Sequence, residues 1–370
     1  MQDAAINALN NEKMVGGESV NKFEEEFAKY IGTDYAVSLN SGSSGILLTF
    51  YSLRIQPGNK VISPSATFIA TLNGPCLLGA IPVFCEIGND YVISTKALRK
   101  ISESIKCKFI IPVHLYGHPC NMHEIMEIAQ TKNITLIEDA AQSHGARYRG
   151  KKIGSFGEAA VFSFYPTKNM TVGGDGGMVT TSNKKIYDSL LKMRDVGRRT
   201  KYIHDEIGYT LRLNSVNAAI GKVQLHHLDR WNEKRRSAAK IYDSKLNGVG
   251  DILLPPQPTK SHEPVYHLYV IKTEYRNALG AWLSMNGVST GIHYPVPVHR
   301  QPAYLGYQSK FDLPFTDDWS KTVLSIPIHP NLNFKDQKYI IEMIHRFFDD
   351  RRYESESVIK ESKKWLTPYP

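Results

Sequence analysis

Glu138 and Asp139 close a short apolar run, Ile134 to Ile137. Ser163 and Lys168 stand at the end of and just beyond a second run, Ala159 to Phe164, before a glycine cluster (Gly173, Gly174, Gly176, Gly177). Strands of α/β sheets present functional side chains at their carboxyl ends, where ligands sit in the crevice. A carboxylate, a hydroxyl and an amine can thus converge on one ligand. Upstream, Gly42, Ser43 and Ser44 form a small-residue turn between a strand and a helix, where free N–H groups and the helix dipole suit a phosphate. Phe68, in PSATFIAT, offers an aromatic face for a planar ring. Each feature also has a plainer reading: an ordinary N-cap by Ser41 or Ser43, a strand-end helix cap at Asp139, a surface lysine at Lys168. Taken together they describe a ring with a phosphate arm, a basic nitrogen and an aldehyde. That is pyridoxal 5′-phosphate, which uses a Schiff-base lysine and an acidic partner at the ring nitrogen.

The elements that must position these groups alternate along the chain. A helix from Val20 to Ile31 ends at Gly32, and a strand from Tyr35 to Leu39 runs into the Gly-Ser turn and the helix ILLTFYSL. Strands at Lys60 to Ile62, Ile81 to Phe84 and Phe109 to Val113 alternate with helices at Thr67 to Leu78, Thr95 to Ile105 and Met122 to Thr131. Such alternation predicts a mainly parallel sheet covered on both faces. A helix closes at Leu190 to Arg194, and Ser215 to Leu246 reads as a long amphipathic helix. Gly and Pro from Gly248 to Pro258 then mark a linker. Beyond it a strand (Tyr266 to Ile271), a helix (Asn277 to Asn286), a proline-rich loop (GIHYPVPVHRQPAYLGY) and a last helix (Asp336 to Phe348) make a smaller α+β unit. The predicted division is a large domain over 1–246, a small one over 247–352, and a charged, loosely held tail over 353–370, with the first 15 or so residues packed on the small domain.

Composition bounds the rest. Apolar content of 42% and charged content of 22% over 370 residues suit a two-domain globular protein. No apolar run approaches the roughly 20 residues that cross a bilayer. No secretory signal is visible, and the four cysteines lack metal or redox spacing, so the expectation is a cytoplasmic protein with free thiols, no metal and no membrane partner. The net charge of +9 comes from scattered basic residues with no aromatic-interleaved stripe. It reads as a solvated basic surface, or as attraction for an anionic metabolite such as a nucleotide sugar, and not as a nucleic-acid site.

With these residues in view, the sequence resembles the DegT/DnrJ/EryC1/StrS family of sugar aminotransferases. The matching stretches are PSATFIATLNGP, IIPVHLYGHPCNM, IEDAAQSHGARYRGKKIGSFG, VFSFYPTKN, GDGGM, GYTLRLNSVNAAIGKVQLHHLDRWNEKRR and TGIHYPVPVHRQPAY. They run in the family's order from about Gly16 to Phe348. The resemblance implies the fold type I of pyridoxal-phosphate enzymes, with a seven-stranded, mainly parallel sheet. It implies that Lys168 forms the Schiff base and moves the proton, that Asp139 holds the ring nitrogen, and that Gln142 lies near the ring hydroxyl. Ser163 with Gly42, Ser43 and Ser44 would take the phosphate, and Phe68 would stack on the ring. Tyr165, His293 and Tyr294 match positions lining the substrate pocket, and Arg212 is a further candidate for anchoring an anionic group. Where the family usually has an asparagine that reaches the partner subunit's phosphate, this chain has Thr210.

The implied reaction moves an amino group from an amino acid, glutamate foremost, to a nucleotide-linked deoxy keto sugar, in a homodimer whose sites lie at the interface. Two alternatives stand beside it. A sugar dehydratase of the same family would replace the Schiff-base lysine by histidine, and Lys168 argues against it. A non-catalytic, metabolite-sensing regulator would need a nucleic-acid element that is not evident.

Overall fold

The computed structural model describes residues 1–307 and 309–365. Helix α1 (Gln2–Asn11) is followed by α2 (Glu18–Ile31), whose Val20, Phe23, Phe27 and Ile31 share one buried side. Gly32 ends α2 at φ 91°, a left-handed turn in which glycine has no Cβ to clash. Strand and helix then alternate as β1 (Tyr35–Leu39), α3 (Gly42–Ser52), β2 (Lys60–Pro64), α4 (Ala70–Leu77), β3 (Ile81–Cys85), α5 (Thr95–Ser104), β4 (Phe109–Ile110), α6 (Met122–Lys132) and β5 (Thr135–Asp139). The short hairpin strands β6 (Arg147–Tyr148) and β7 (Lys151–Lys152) precede β8 (Ala159–Ser163), β9 (Gly177–Thr181) and α7 (Lys184–Met193).

Seven of these strands form one sheet in the order β1-β9-β8-β5-β4-β2-β3. Only β9 runs against its neighbours; the β8–β5–β4–β2–β3 pairs are parallel. Side-chain alternation explains why the strand sequences are apolar throughout. Val61, Ile137 and Val161 enter the core on one face, under α3, α4 and α7. Ile62, Leu136 and Phe162 enter the core on the other, under α2, α5 and α6. The parallel strands bring the ends of β1, β2, β5 and β8 to a common edge, where the cavity described below opens.

Local chemistry shortens some predicted elements, and others were not foreseen, β9 foremost among them at the site. The predicted strand Phe109 to Val113 is regular only to Ile110; Pro112 has no N–H to give, and pairing resumes as a single parallel bridge from Val113 to Asp139. The predicted helix from Thr67 begins at Ala70. The glycine cluster ends in β9, a strand the periodicity did not reveal. A Cβ on Gly177 would lie 2.4 Å from the Ser41 carbonyl carbon, so glycine is what lets β9 approach the turn after β1.

Helix α8 (Ser215–Leu246) joins the two halves of the molecule. Leu225 and Leu228 belong to the core under the sheet, whereas Tyr242 and Leu246 belong to that of the C-terminal unit. That unit contains β10 (His262–Glu263), β11 (Tyr269–Lys272), α9 (Arg276–Met285), α10 (Pro314–Thr322), β12 (Val323–Ile326), α11 (Phe334–Asp349) and α12 (Glu356–Ser362). The strands β11 and β12 pair antiparallel and are covered by α9 and α11, while β10 crosses over to pair with β6. Among the described residues no helix is long and apolar enough to cross a membrane.

Two expectations about the ends are corrected. The first residues pack along the opening turns of α8 and not on the small unit: the Ser215 N–H donates to Met14 O at 3.0 Å, and Gln224 Nε2 lies 3.1 Å from the Met1 sulfur. The tail from Tyr353 is held as far as it is described. Tyr353 stacks on Tyr275 at 4.3 Å, Val358 is 1% exposed, and Trp365 covers Gly280, where a Cβ would meet its ring at 2.8 Å. Three apolar side chains hold the segment in spite of its charge. Residues 366–370 lie outside the described part.

Candidate active site

The edge formed by the carboxyl ends of the parallel strands opens into a cavity of about 610 Å³. Asp139 ends β5 and Ser163 ends β8. Gly42 and Ser43 start α3 after β1, and Phe68 follows β2. Lys168 comes from the loop after β8, a turn closed by its N–H donating to Tyr165 O at 2.8 Å. His293 and Tyr294 reach the cavity from the proline-rich loop, and Tyr165 lines it with 53% of its surface exposed.

The two acidic neighbours in β5 have opposite fates because the strand alternates. Glu138 points away from the cavity and is fully buried. It accepts the N–H groups of Gly154, Phe156 and Gly157 at 2.7–2.9 Å and lies 3.2 Å from His114 Nε2. Burial alone would raise its pKa; His114 and these N–H donors outweigh that and hold it below the ordinary carboxyl value. Asp139 faces the cavity at 5% exposure. Its Oδ2 accepts from Thr71 Oγ1 at 2.7 Å and its Oδ1 from the Ala141 N–H at 3.1 Å. Burial raises its pKa despite these donors and the charge of Lys168.

Burial lowers the pKa of Lys168 to about 8, with Asp139 opposing. An amine near neutrality in a closed pocket is a nucleophile and a proton acceptor at ordinary pH. Gln142 is fixed between Tyr116 N, which donates to its Oε1 at 2.7 Å, and Tyr294 OH, which accepts from its Nε2 at 3.1 Å. The Phe68 and Tyr294 rings lie 5.6 Å apart, tilted by 40°. His293 Nδ1 lies 2.9 Å from Ser325 Oγ, which ties the loop to β12.

The turn after β1 is a cradle built on close approach. A Cβ on Gly42 would sit 3.0 Å from that of Ser163, so the start of α3 and the end of β8 touch only because residue 42 is glycine. Ser41 Oγ accepts the Ser44 N–H at 3.1 Å, while the first N–H groups of a helix have no intrahelical partner. Gly42, Ser43 and Ser163 line the cavity together.

Three expected residues stand apart from it. The Ser44 hydroxyl donates to Asn40 Oδ1 at 2.7 Å and does not line the cavity. Thr210 is exposed, and Arg212 pairs its guanidinium with the Asp195 carboxylate, so neither reaches the cavity of its own chain. Conversely, Thr67, Thr71 and His267 line the cavity and were not foreseen. The four-residue spacing of Thr67 and Thr71 carried a signal only under the predicted helix from Thr67; the observed helix starts at Ala70, and the two hydroxyls meet at 2.8 Å across its entry. His267 gave none, because YHLYVI reads as an ordinary strand; in the structure its Nδ1 lies 3.2 Å from Asn169 Oδ1. His144 is buried between Phe162 and Phe164, and burial lowers its pKa to about 3.

The arrangement fits a flat ring with an anionic arm: N–H groups and a hydroxyl at one end, a buried carboxylate at the other, an aromatic face and an amine between. Comparisons with known proteins give the family. The profile of the DegT/DnrJ/EryC1/StrS aminotransferase family matches residues 1–345. The dTDP-3-amino-3,4,6-trideoxy-alpha-D-glucose transaminase of Streptomyces venezuelae is 39% identical over 93% of this chain and 91% of its own. A protein of Geobacillus stearothermophilus named as a pleiotropic regulatory protein is 36% identical over 92% of each. A crystal structure of S. venezuelae DesV in complex with a ketimine intermediate superposes with a TM-score of 0.90 at 38% identity, covering 94% of both chains. The expected α/β fold of pyridoxal-phosphate aminotransferases is the one observed. This chain belongs to the DegT/DnrJ/EryC1/StrS aminotransferase family.

Proposed function

We propose that this aminotransferase uses pyridoxal 5′-phosphate to move an amino group from glutamate to the ketone of a nucleotide-linked deoxy sugar. The observation that carries the reading is the Lys168 amine, its pKa lowered to about 8 by burial, in one cavity with the buried carboxylate of Asp139. When bound, the cofactor supplies an electron sink for the carbanion formed at the reacting carbon. The N–H groups of Gly42 and Ser43 with Ser163 Oγ would hold its phosphate, Phe68 would cover its ring, and Gln142 would meet its hydroxyl. Asp139 would hold a proton at the ring nitrogen, since a buried anion favours the protonated partner. Lys168 would hold the aldehyde carbon. Displaced by the incoming amino acid, its Nζ would take the proton from the α-carbon and later return it at the sugar carbon. Tyr165, His293 and Tyr294 line the side left for the sugar.

The second substrate and the second subunit follow from the same reading. The S. venezuelae relative is named for a dTDP-linked amino sugar, which supports a nucleotide-linked acceptor here. The segment that carries Thr210 exposes Tyr202 (79%), Ile203 (49%) and Ile207 (94%), and a second copy of the chain would cover them. Thr210 would then offer its hydroxyl to the partner's phosphate cradle. Four free cysteines, three of them buried, suit the reducing cytoplasm.

The test is the first half-reaction. Wild-type protein loaded with pyridoxal 5′-phosphate should release 2-oxoglutarate from glutamate in amounts equal to bound cofactor. Lys168→Ala should release none while keeping its circular dichroism spectrum. Undiminished release by that variant would overturn the assignment.

A further inference from the structure

We propose that Thr71, backed by Thr67, is a positioning residue that fixes the orientation and the ionised state of the Asp139 carboxylate. Through it, Thr71 keeps the proton on the cofactor's ring nitrogen. This rests on the reading of the cavity as a pyridoxal 5′-phosphate site.

Thr67, Thr71 and Asp139 are 2%, 1% and 5% exposed, and all three line the cavity. Thr71 Oγ1 is 2.7 Å from Asp139 Oδ2 and 2.8 Å from Thr67 Oγ1. An ionised carboxylate only accepts, and a hydroxyl has one proton. The Thr71 proton therefore goes to Asp139, and its oxygen accepts from Thr67. The chain of hydroxyls has one direction, toward the carboxylate, and such chains polarise each other. A threonine near a helix start would ordinarily return its hydroxyl to its own backbone. Thr71 instead reaches a side chain 68 positions away in sequence. The Ala141 N–H holds the other oxygen at 3.1 Å, so donors from two separate elements set the plane of the carboxylate. Burial works against the anion, and the Thr71 bond is the foremost of the contacts that counter it.

The Thr71→Val variant keeps the shape and removes the donor. A hydrogen bond to a charged group contributes about 1.5–3 kcal/mol, which corresponds to about one to two pKa units or tenfold to a hundredfold in rate. Asp139 should accordingly protonate about one unit higher. With its proton affinity raised, Asp139 would favour the proton on the ring nitrogen less strongly, and the bound cofactor would supply a weaker electron sink.

The experiment has two arms. In cofactor-free protein carrying 13C-carboxyl aspartate, the Asp139 signal, identified by its loss in Asp139→Asn, is titrated by NMR. The midpoint should rise about one unit in Thr71→Val, rise less in Thr67→Val, and stay at the wild-type value in Thr71→Ser. In protein loaded with pyridoxal 5′-phosphate, kcat with glutamate should fall about tenfold in Thr71→Val, with KM within twofold, and recover in Thr71→Ser. An unmoved midpoint in a variant that still binds the cofactor overturns this role alone. So does a fall in activity that appears in KM with kcat unchanged. Should Thr71→Val not fold, Thr67→Val and Thr71→Ser decide by the same two readings. Failure of every form, wild type included, to take up pyridoxal 5′-phosphate overturns the reading of the cavity and this role with it.

Discussion

Lys168 and Asp139 act on each other through the charge each carries. Burial lowers the Lys168 pKa to about 8, and the negative charge of Asp139 pulls it back up. Uptake of pyridoxal 5′-phosphate by the cofactor-free protein should therefore quicken with a midpoint near pH 8, where an exposed lysine would show about 10.4. Asp139→Asn removes the opposing charge and should move that midpoint down; stopped-flow absorbance reads both, and an upward move would show that the two groups do not interact. The sign for stability is the matching one. Between pH 8 and about 10.4 the unfolded chain binds the proton and the folded one does not, so this residue's contribution to stability rises with pH across that window. At the cradle, Gly42→Ala places a Cβ 3.0 Å from that of Ser163. The neighbour must give way, and affinity for the cofactor should fall about tenfold, a loss of about 1.4 kcal/mol read by fluorescence titration. The meeting of Lys168, Asp139 and Gly42 at one cavity was legible, because each stands at or just past the end of a short apolar run. Thr71 offered only its spacing from Thr67, because its bond to Asp139 joins residues 68 apart in the chain.

Among the elements, β5 shows how a strand end serves fold and site at once. Glu138 gathers three N–H groups and His114 on one side, while Asp139 faces the cavity on the other. Glu138→Ala strands those buried donors and should cost about 3 kcal/mol or more in denaturant unfolding. A loss under 1 kcal/mol would mean that water replaces the carboxylate. Burial raises and the donors lower the Glu138 pKa, with a net depression. Its contribution is therefore full above the ordinary glutamate value, about 4.3, and lost as pH falls through the folded value. Elements with strong periodicity, such as α2, α8 and α11, were legible almost to the residue. The strand missed from the main sheet, β9, was hidden because GMVTT follows three glycines and its place depends on close approach to Ser41.

For the molecule as a whole, the segment around Ile207 leaves Tyr202, Ile203 and Ile207 uncovered in a single copy. If the proposed dimer forms through this segment, Ile207→Asp should leave the fold of one chain intact, since Ile207 is 94% exposed, yet give monomers where the wild type sediments as a dimer. On the proposed reach of Thr210 to the partner's cradle, it should lower cofactor affinity as well. A variant that stays dimeric and fully active would remove this surface from the interface.

The sequence by itself determined the alternation of strand and helix, the mainly parallel sheet and which residues gather at its carboxyl edge. Those follow from short-range rules: periodicity, glycine at tight turns, and a lysine and an aspartate at the ends of apolar runs. Only the tertiary structure decided which hydroxyls converge on Asp139, that Arg212 answers Asp195, that Ser44 turns toward Asn40, and that the N-terminal helix and the charged tail are held. Each of these depends on distances between residues remote in the chain, fixed by how layers pack and not by any local pattern.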